Sequence, residues 1–251
     1  MAKQVCEICN AEVGFLQQVK MRDDNYVCSK CAGKTHPLFA PVSEKTLPLF
    51  NEHLKQLEDG QVLYEKLFVP RKNAADKAQR LKKFSGGMEV AKDIGLISVS
   101  GKRGGFLFWG GTPYYMVFRI ADLYKYDYSS VTTRSSDGKT VTKHYINFIF
   151  LETPGLDRFR IDLFNTAGFV STAGFFDECF GIKRDLRSLT NPLKNQIANV
   201  KSAVQGFKTL LSGDKEVFVE QLSQAEIDQL YGERAEWIAK AETAIKSVIS
   251  D

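Results

Sequence analysis

The sequence predicts an α+β protein: a small four-cysteine module, an antiparallel sheet region with a capping helix, and a C-terminal helical hairpin. Three observations predict this order. Two CxxC pairs stand near the start, short β-branched and aromatic runs separated by glycine turns fill the middle, and apolar residues at helical spacing fill the end. We place the parts at residues 1–40, 41–88 (a helical linker), 89–182 and 183–251.

The two CxxC pairs carry the strongest chemical signal in the chain. Their thiols belong to Cys6, Cys9, Cys28 and Cys31. Each pair can form a tight turn that directs two thiolates at one cation, and two such turns complete the tetrahedral four-sulfur site of structural zinc. Because four thiolates leave no open coordination position, the spacing predicts one structural zinc ion and no metal-based catalysis.

Disulfides and redox chemistry are the alternatives for these cysteines. Disulfides need an oxidising compartment, and the first residues contain no apolar signal-peptide core. A thioredoxin-like pair would stand within a βαβ pattern, which neither pair has. His36 follows Cys31 closely and is expected at the surface or behind the ligands. Cys179, among aromatic residues, is expected to be a small buried apolar side chain.

Charge is unevenly distributed along a chain of ordinary globular composition. Residues 66–103 contain ten Lys and Arg against three acidic residues, whereas residues 212–251 contain nine acidic residues against four basic ones. The basic segment can present a face to a polyanion, or the acidic tail can dock on it within the molecule. No apolar run approaches the ~20 residues of a membrane-spanning helix, so we expect a cytoplasmic protein. The candidate anion-binding residues are Lys77, Arg80, Lys82, Lys83, Lys102 and Arg103.

Two helices are predicted in the linker. Residues Leu47 to Glu58 have apolar side chains at helical spacing, His53 lies on the same face, and Asp59-Gly60 is the expected stop. A second, basic helix is expected from Ala74 to Phe84, ended by the glycines that follow.

Short strand-like runs fill the middle of the chain, separated by turn signals that include Asp137-Gly138. Their spacing favours an antiparallel sandwich or partly open barrel. The predicted strands are Leu96–Val99, Phe106–Trp109, Tyr114–Phe118, Ile120–Val131, Thr140–Glu152 and Phe159–Phe164.

Helices are predicted for the remainder. Phe169 to Phe180 forms a capping helix whose cap is Ser171 or Thr172. A helix from the Asn191 cap to Gly213 and a second one, which begins at the Ser223–Glu226 capping box, have complementary apolar stripes. We expect these two helices to pack on each other, on the sheet, or on a second copy of the chain.

Two parts of the chain resemble known families. Val5 to Lys34, with a CxxC turn, a polar hairpin and a second CxxC pair, resembles the N-terminal zinc-ribbon-like modules of uncharacterised bacterial and phage proteins. Glu89 to Phe180, with Val117–Leu123 leading into Tyr124–Tyr128, resembles a bacterial pleckstrin-homology-like (GRAM-like) domain. The first resemblance implies metal binding without specifying a partner, and the second implies a sheet scaffold closed by one helix.

The sequence contains none of the phosphate-loop, dinucleotide, nucleophile-elbow or HExxH motifs, and it has only three histidines. We therefore predict no enzyme. The interpretation is a zinc-containing binding or regulatory protein that acts on a protein partner, or on itself through the C-terminal helices. Nucleic-acid binding through the cysteine module and residues 66–103 is one alternative. Binding of an anionic lipid surface by the pleckstrin-like domain is another.

Overall fold

The computed structural model describes residues 4–103, 111–134, 138–151, 153, 155–190 and 222–249. The strands are β1 (Gln4–Val5), β2 (Glu12–Val13), β3 (Gln18–Lys20), β4 (Tyr26–Cys28), β5 (Lys82–Lys83), β6 (Met88–Ala91), β7 (Leu96–Arg103), β8 (Thr112–Arg119), β9 (Leu123–Arg134), β10 (Thr140–Phe150) and β11 (Arg158–Leu163). The helices are α1 (Ser29–Ala32), α2 (Leu47–Leu63), α3 (Thr166–Phe180), α4 (Leu186–Leu189), α5 (Gln224–Glu233) and α6 (Ala235–Lys246). The predicted α+β class is confirmed at the level of mixed helices and open antiparallel sheets.

The N-terminal module consists of two small hairpins, β1–β2 and β3–β4, followed by α1. Its core contains the buried side chains of Val13, Val27 and Phe39, and it also takes in Val42 and Phe50. Because Phe50 belongs to α2, the apolar core of the module continues past the boundary predicted at residue 40. The proline-rich stretch that links α1 to α2 forms two short 3₁₀ turns, Pro37–Phe39 and Val42–Glu44, and contributes Phe39 and Val42 to this core.

Helix α2 is longer than the sequence predicts. The expected stop at Asp59-Gly60 is wrong, since the helix continues to Leu63 and then through a π-helical turn, Tyr64–Phe68. Gly60 is buried where α2 crosses β8, and a Cβ atom there would collide with the carbonyl oxygen of Tyr115. This glycine therefore permits close packing of helix and sheet and does not end the helix.

Two antiparallel sheets form the centre of the protein. One has the strand order β5-β6-β7-β8 and the other β11-β10-β9. The predicted strands within the described residues are present, although β9 begins only after a 3₁₀ turn at Ile120–Asp122. The predicted strand at 106–109 and Asp137 of the predicted turn lie outside the described residues.

The inner faces of both sheets share one apolar core with α3. Phe118 of β8 stacks on Phe150 of β10 with 4.2 Å between ring centroids, and Phe176 of α3 lies edge-on to Phe148 of β10 in the same core. The helix begins earlier than the sequence predicts, because the N-cap is Asn165, whose side chain accepts the Gly168 amide, and not Ser171 or Thr172.

The basic helix predicted over Ala74 to Phe84 is absent. Asp76 caps only a single 3₁₀ turn, Lys77–Gln79, and Lys82 and Lys83 then pair with β6 as the edge strand β5. The helical interpretation rested on a thin apolar stripe with many like charges around it, which stabilises a helix poorly. Pairing with an existing sheet satisfies the same backbone groups and prevails.

The C-terminal helices pack on the sheets of the same chain. The predicted capping box at Ser223 and Glu226 is confirmed, but the expected single helix breaks at Arg234 into α5 and α6. The break lets the buried Arg234 guanidinium donate to the carbonyl oxygens of Ala121 and Leu123. The predicted helix from Asn191 to Gly213 lies outside the described residues. In the portions of the chain that the structure describes, no helix is long and apolar enough to cross a membrane.

Candidate metal centre

The first CxxC pair lies in the turn between β1 and β2. The Cys6 amide donates to the Ala11 carbonyl and the Asn10 amide donates to the Cys6 carbonyl, so the chain reverses within a few residues. Asn10 has a positive φ of 56°, which asparagine tolerates better than most residues. The turn leaves Cys6 buried and Cys9 exposed.

The second CxxC pair joins a strand to a helix. Cys28 ends β4 and caps α1, where its sulfur accepts the Cys31 amide at 3.3 Å. The polar turn before β4 contains Asp24 at a φ of 64° and forms the hairpin that returns the strand to the first pair. Both Cys28 and Cys31 are buried.

The fold brings all four predicted ligands together. The sulfur atoms of Cys6, Cys9, Cys28 and Cys31 lie within 4.8 Å of one another. In a tetrahedral site with zinc–sulfur distances of about 2.3 Å, sulfur atoms stand about 3.8 Å apart. The Cys9 and Cys28 sulfur atoms are 3.8 Å apart. The four thiols are therefore positioned to hold one metal ion, with a donor set and spacing that fit zinc.

Backbone amides stabilise negative charge on this cluster. The Cys28 amide donates to the Cys6 sulfur at 3.2 Å, in addition to the bond between Cys31 and Cys28. Burial opposes ionisation of Cys6, but hydrogen bonds from the backbone of Cys28, Cys9 and Ile8 outweigh it and lower its pKa to about 6. Burial and the neighbouring thiols raise the pKa of Cys31. A metal ion bound to the four sulfurs would hold all of them deprotonated, against the repulsion between neighbouring thiolates.

The two histidines that follow the second CxxC pair in the chain are both buried. His36, expected at the surface or behind the ligands, is 5% exposed, and its ring packs edge-on against Tyr114 and Phe159. His53 is fully buried and accepts the His36 amide at Nε2. The expectation of a surface His36 is wrong because the turn after α1 directs the ring into the sheets.

The six candidate anion-binding residues do not form one cluster. Lys83 lies opposite Glu89 of β6, and Glu89 lies opposite Ser98 of β7. Lys102 follows Ser98 by four residues in β7, which at the rise of a strand places it roughly 13 Å from Ser98 along the sheet. Several of the side chains are already engaged. Arg80 donates to the Ala74 carbonyl, Lys83 approaches Glu89 at 3.7 Å, Lys82 stands over the Phe84 ring, and Arg103 donates to the Lys34 carbonyl.

The fifth cysteine does not belong to the four-cysteine cluster. Cys179 is partly buried near the end of α3, where burial raises the pKa of its thiol to about 11. A thiol of this kind is protonated at neutral pH and nucleophilic only weakly. Cys179 is half-buried and not fully buried as the sequence predicts.

Sequence reasoning missed the residues that join the cysteine module to the sheets. Gln56 forms two hydrogen bonds with the backbone of Leu156, 100 positions later in the chain. Nothing in the local pattern distinguishes Gln56 from a solvated glutamine on a helix. The one usable signal was the apolar stripe of α2, which already included His53.

Fold and site together define a protein with an N-terminal four-cysteine module, able to hold a metal ion, that is packed against two open antiparallel sheets. Over residues 4–53 the chain matches a family model described as a domain of unknown function, DUF4428. The matched segment contains all four cysteines and ends at His53, within α2. Comparisons with curated proteins and with solved structures found no match.

Proposed function

We propose that the N-terminal module binds one structural zinc ion through Cys6, Cys9, Cys28 and Cys31. The observation that carries this proposal is the convergence of four sulfur atoms within 4.8 Å on two turns that the backbone itself holds in place. Bound zinc would supply a crosslink between the β1–β2 turn and the start of α1. A module of this size buries little apolar surface, so such a crosslink supplies much of its stability.

Native mass spectrometry of the reduced, full-length protein tests the zinc proposal. We expect one zinc ion per chain, removed by a strong chelator such as 1,10-phenanthroline. The same spectra report the number of subunits. A chain that carries no metal while all five cysteines remain reduced would overturn the proposal.

We further propose that the sheets form a pleckstrin-homology-like scaffold. Four antiparallel strands, β5 to β8, are followed by three more, β9 to β11, and then by the single helix α3 on the shared core. This order supports the resemblance drawn from the sequence. Because that architecture serves many ligands, it does not choose among partners.

We infer that the protein is a non-catalytic binding protein whose partner is another protein. A four-thiolate site has no open position for substrate, and the module presents two adjacent apolar side chains to solvent: Phe15 is 67% exposed and Leu16 is 93% exposed. The apolar stripe of the last helix is less suited to self-association. Ala241 and Ala244 are buried against Leu96 and Leu67 of the same chain.

Nucleic-acid and anionic-lipid binding remain the competing proposals. Both would use Lys77, Arg80, Lys82 and Lys83, and several of these side chains already have intramolecular partners. Fluorescence anisotropy with labelled DNA and RNA oligonucleotides, and sedimentation with vesicles containing phosphatidylserine, test them directly. The control is a variant in which these four residues are changed to Glu. Saturable binding by the wild type that this variant loses would overturn the protein-partner proposal. Failure to bind the oligonucleotides or the vesicles supports it.

A further inference from the structure

One side chain of the cysteine module, His36, contacts both central sheets. The His36 ring lies 4.7 Å from the Tyr114 ring and 5.6 Å from the Phe159 ring, centroid to centroid, in edge-on geometry. Tyr114 belongs to β8 of the four-stranded sheet, and Phe159 belongs to β11 of the three-stranded sheet. His36 therefore stands where the edge strands of the two sheets approach each other.

Two side chains of helix α2, His53 and Gln56, stabilise this contact through hydrogen bonds. The His36 amide donates to Nε2 of His53 at 3.0 Å, and the His53 ring stacks on Phe39 with 4.2 Å between centroids. Gln56, one turn further along, donates to the Leu156 carbonyl at 3.1 Å and accepts the Leu156 amide at 3.0 Å. We call the residues that make these contacts the junction: His36, Phe39, His53, Gln56, Tyr114, Leu156 and Phe159.

The chain between the last cysteine and the junction has little freedom. The amides of Gly33, Lys34 and Thr35 donate to the carbonyls of Ser29, Cys31 and Ala32, which all belong to α1. The Arg103 guanidinium on β7 also donates to the Lys34 carbonyl. The position of His36 is consequently set by the position of α1, and α1 begins at the second CxxC pair.

We propose that metal binding at the four cysteines controls how the sheets are clamped at the junction. With the metal bound, α1 is held against the first CxxC turn and keeps the His36 ring between Tyr114 and Phe159. Without the metal, α1 loses its attachment, and His36 leaves the edges of β8 and β11. In this role the cysteine module holds the edges of β8 and β11 together only while the metal is bound, and we call it a clamp. This inference rests on the proposed zinc site.

Hydrogen exchange measured by mass spectrometry on the full-length protein tests the clamp. We expect a chelator to accelerate exchange about tenfold in peptides that cover β8 and β11, because local opening exposes their amides. Helix α5 meets β8 at Arg119, the end of the strand away from Tyr114, so peptides that cover α5 should change by less than about twofold. The module itself should lose protection in the same experiment.

Variants of the junction separate its role from that of the metal site. His36→Ala and Gln56→Ala leave all four cysteines in place, and both should still carry one zinc ion by native mass spectrometry. With zinc bound, exchange in β8 and β11 should already be fast, and the chelator should add less than about threefold. Glu52→Ala, an exposed position on the same helix, is the matched control and should behave as the wild type does. Gln56→Ala also decides the test if His36→Ala does not fold.

The two proposals fail in different ways. If the chelator removes zinc and accelerates exchange only within residues 4–35, the clamp is overturned and the zinc site stands. If the protein carries no zinc, the zinc proposal is overturned and the clamp falls with it. A junction variant whose strands respond to the chelator as strongly as the wild type would also overturn the clamp.

Discussion

The His36 amide donates a hydrogen bond to Nε2 of His53, and this bond fixes the protonation state of the buried ring. Because Nε2 is the acceptor, the proton of the neutral ring sits on Nδ1, where it can be donated to Oε1 of Gln56 at 3.2 Å. The His36 ring likewise accepts the Leu38 amide at Nδ1. A proton added to either acceptor nitrogen would face an N–H donor.

Stability is therefore expected to fall on mild acidification. Burial lowers the pKa of both His36 and His53 to about 4 from an ordinary value of 6.5. The charge of His53 adds to this effect on the pKa of His36, and Arg103 and Lys45 add to it on the pKa of His53, against the hydrogen bond to Gln56, which raises that pKa. Between pH 6.5 and pH 4 these two histidines are protonated in the unfolded chain but remain neutral in the folded chain. The free energy of unfolding therefore has its full value above pH 6.5 and decreases as the pH falls towards 4. Each histidine contributes a slope of up to about 1.4 kcal/mol per pH unit.

Urea unfolding of the zinc-bound protein between pH 7 and pH 5 measures this slope. The His36→Gln variant removes one of the two titrating rings and should show a shallower dependence than the wild type. Zinc content is checked at each pH, since protons also compete for the cysteines. Equal slopes in the two proteins would contradict the prediction.

Replacement of Gly60 by alanine should strongly destabilise the protein. A Cβ at this position would collide with the Tyr115 carbonyl where α2 crosses β8, and backbone cannot move aside as a side chain can. We expect a loss of about 2–3 kcal/mol in the free energy of unfolding. Gly232→Ala is the control, because no atom lies within 4 Å of a Cβ there. The control should gain up to about 1 kcal/mol, and similar values for both variants would refute the packing argument.

Arg234→Ala should detach the C-terminal helices from the sheets. The buried guanidinium donates to the Ala121 and Leu123 carbonyls at 2.8 and 2.7 Å and lies 3.8 Å from the centroid of the Phe180 ring. Its removal leaves two buried carbonyls without their donor, at a cost of about 2–4 kcal/mol. Denaturation midpoints and the near-ultraviolet signal of Trp237 measure the effect. Lys246→Ala, at an exposed site on α6, should change the midpoint little, and an equal loss there would count against the Arg234 contacts.

Cys9→Ser should abolish stable zinc binding, and Cys179→Ser should not. Cys9 is the exposed member of the cluster, so its replacement removes a ligand without opening a core cavity. Loss of one thiolate from four is expected to weaken zinc retention by at least about 100-fold. Competition with a chromogenic chelator measures the affinity. Unchanged affinity in the Cys9 variant would mean that the metal, if bound, does not use this site.

The metal site was predictable because its information is local. Two CxxC pairs at this spacing specify their own turns, and a short polar hairpin between them returns the second pair to the first. The strands were also predictable, because alternating apolar and polar residues and glycine turns can be recognised within short stretches of sequence. The basic helix failed for the opposite reason: whether Lys82 and Lys83 join a helix or a strand was decided by β6, which supplies the backbone partners.

By itself, the sequence determined a four-cysteine module, an antiparallel centre and the capping box of α5. Only the tertiary structure decided that His36 is buried, that Gly60 lets α2 cross β8 closely, and that Arg234 breaks the last helix to reach two carbonyl groups. Each of these depends on atoms far away in the chain. Local patterns fix which backbone conformations are accessible, but burial and the pairing of polar groups follow from which surfaces meet when the chain folds.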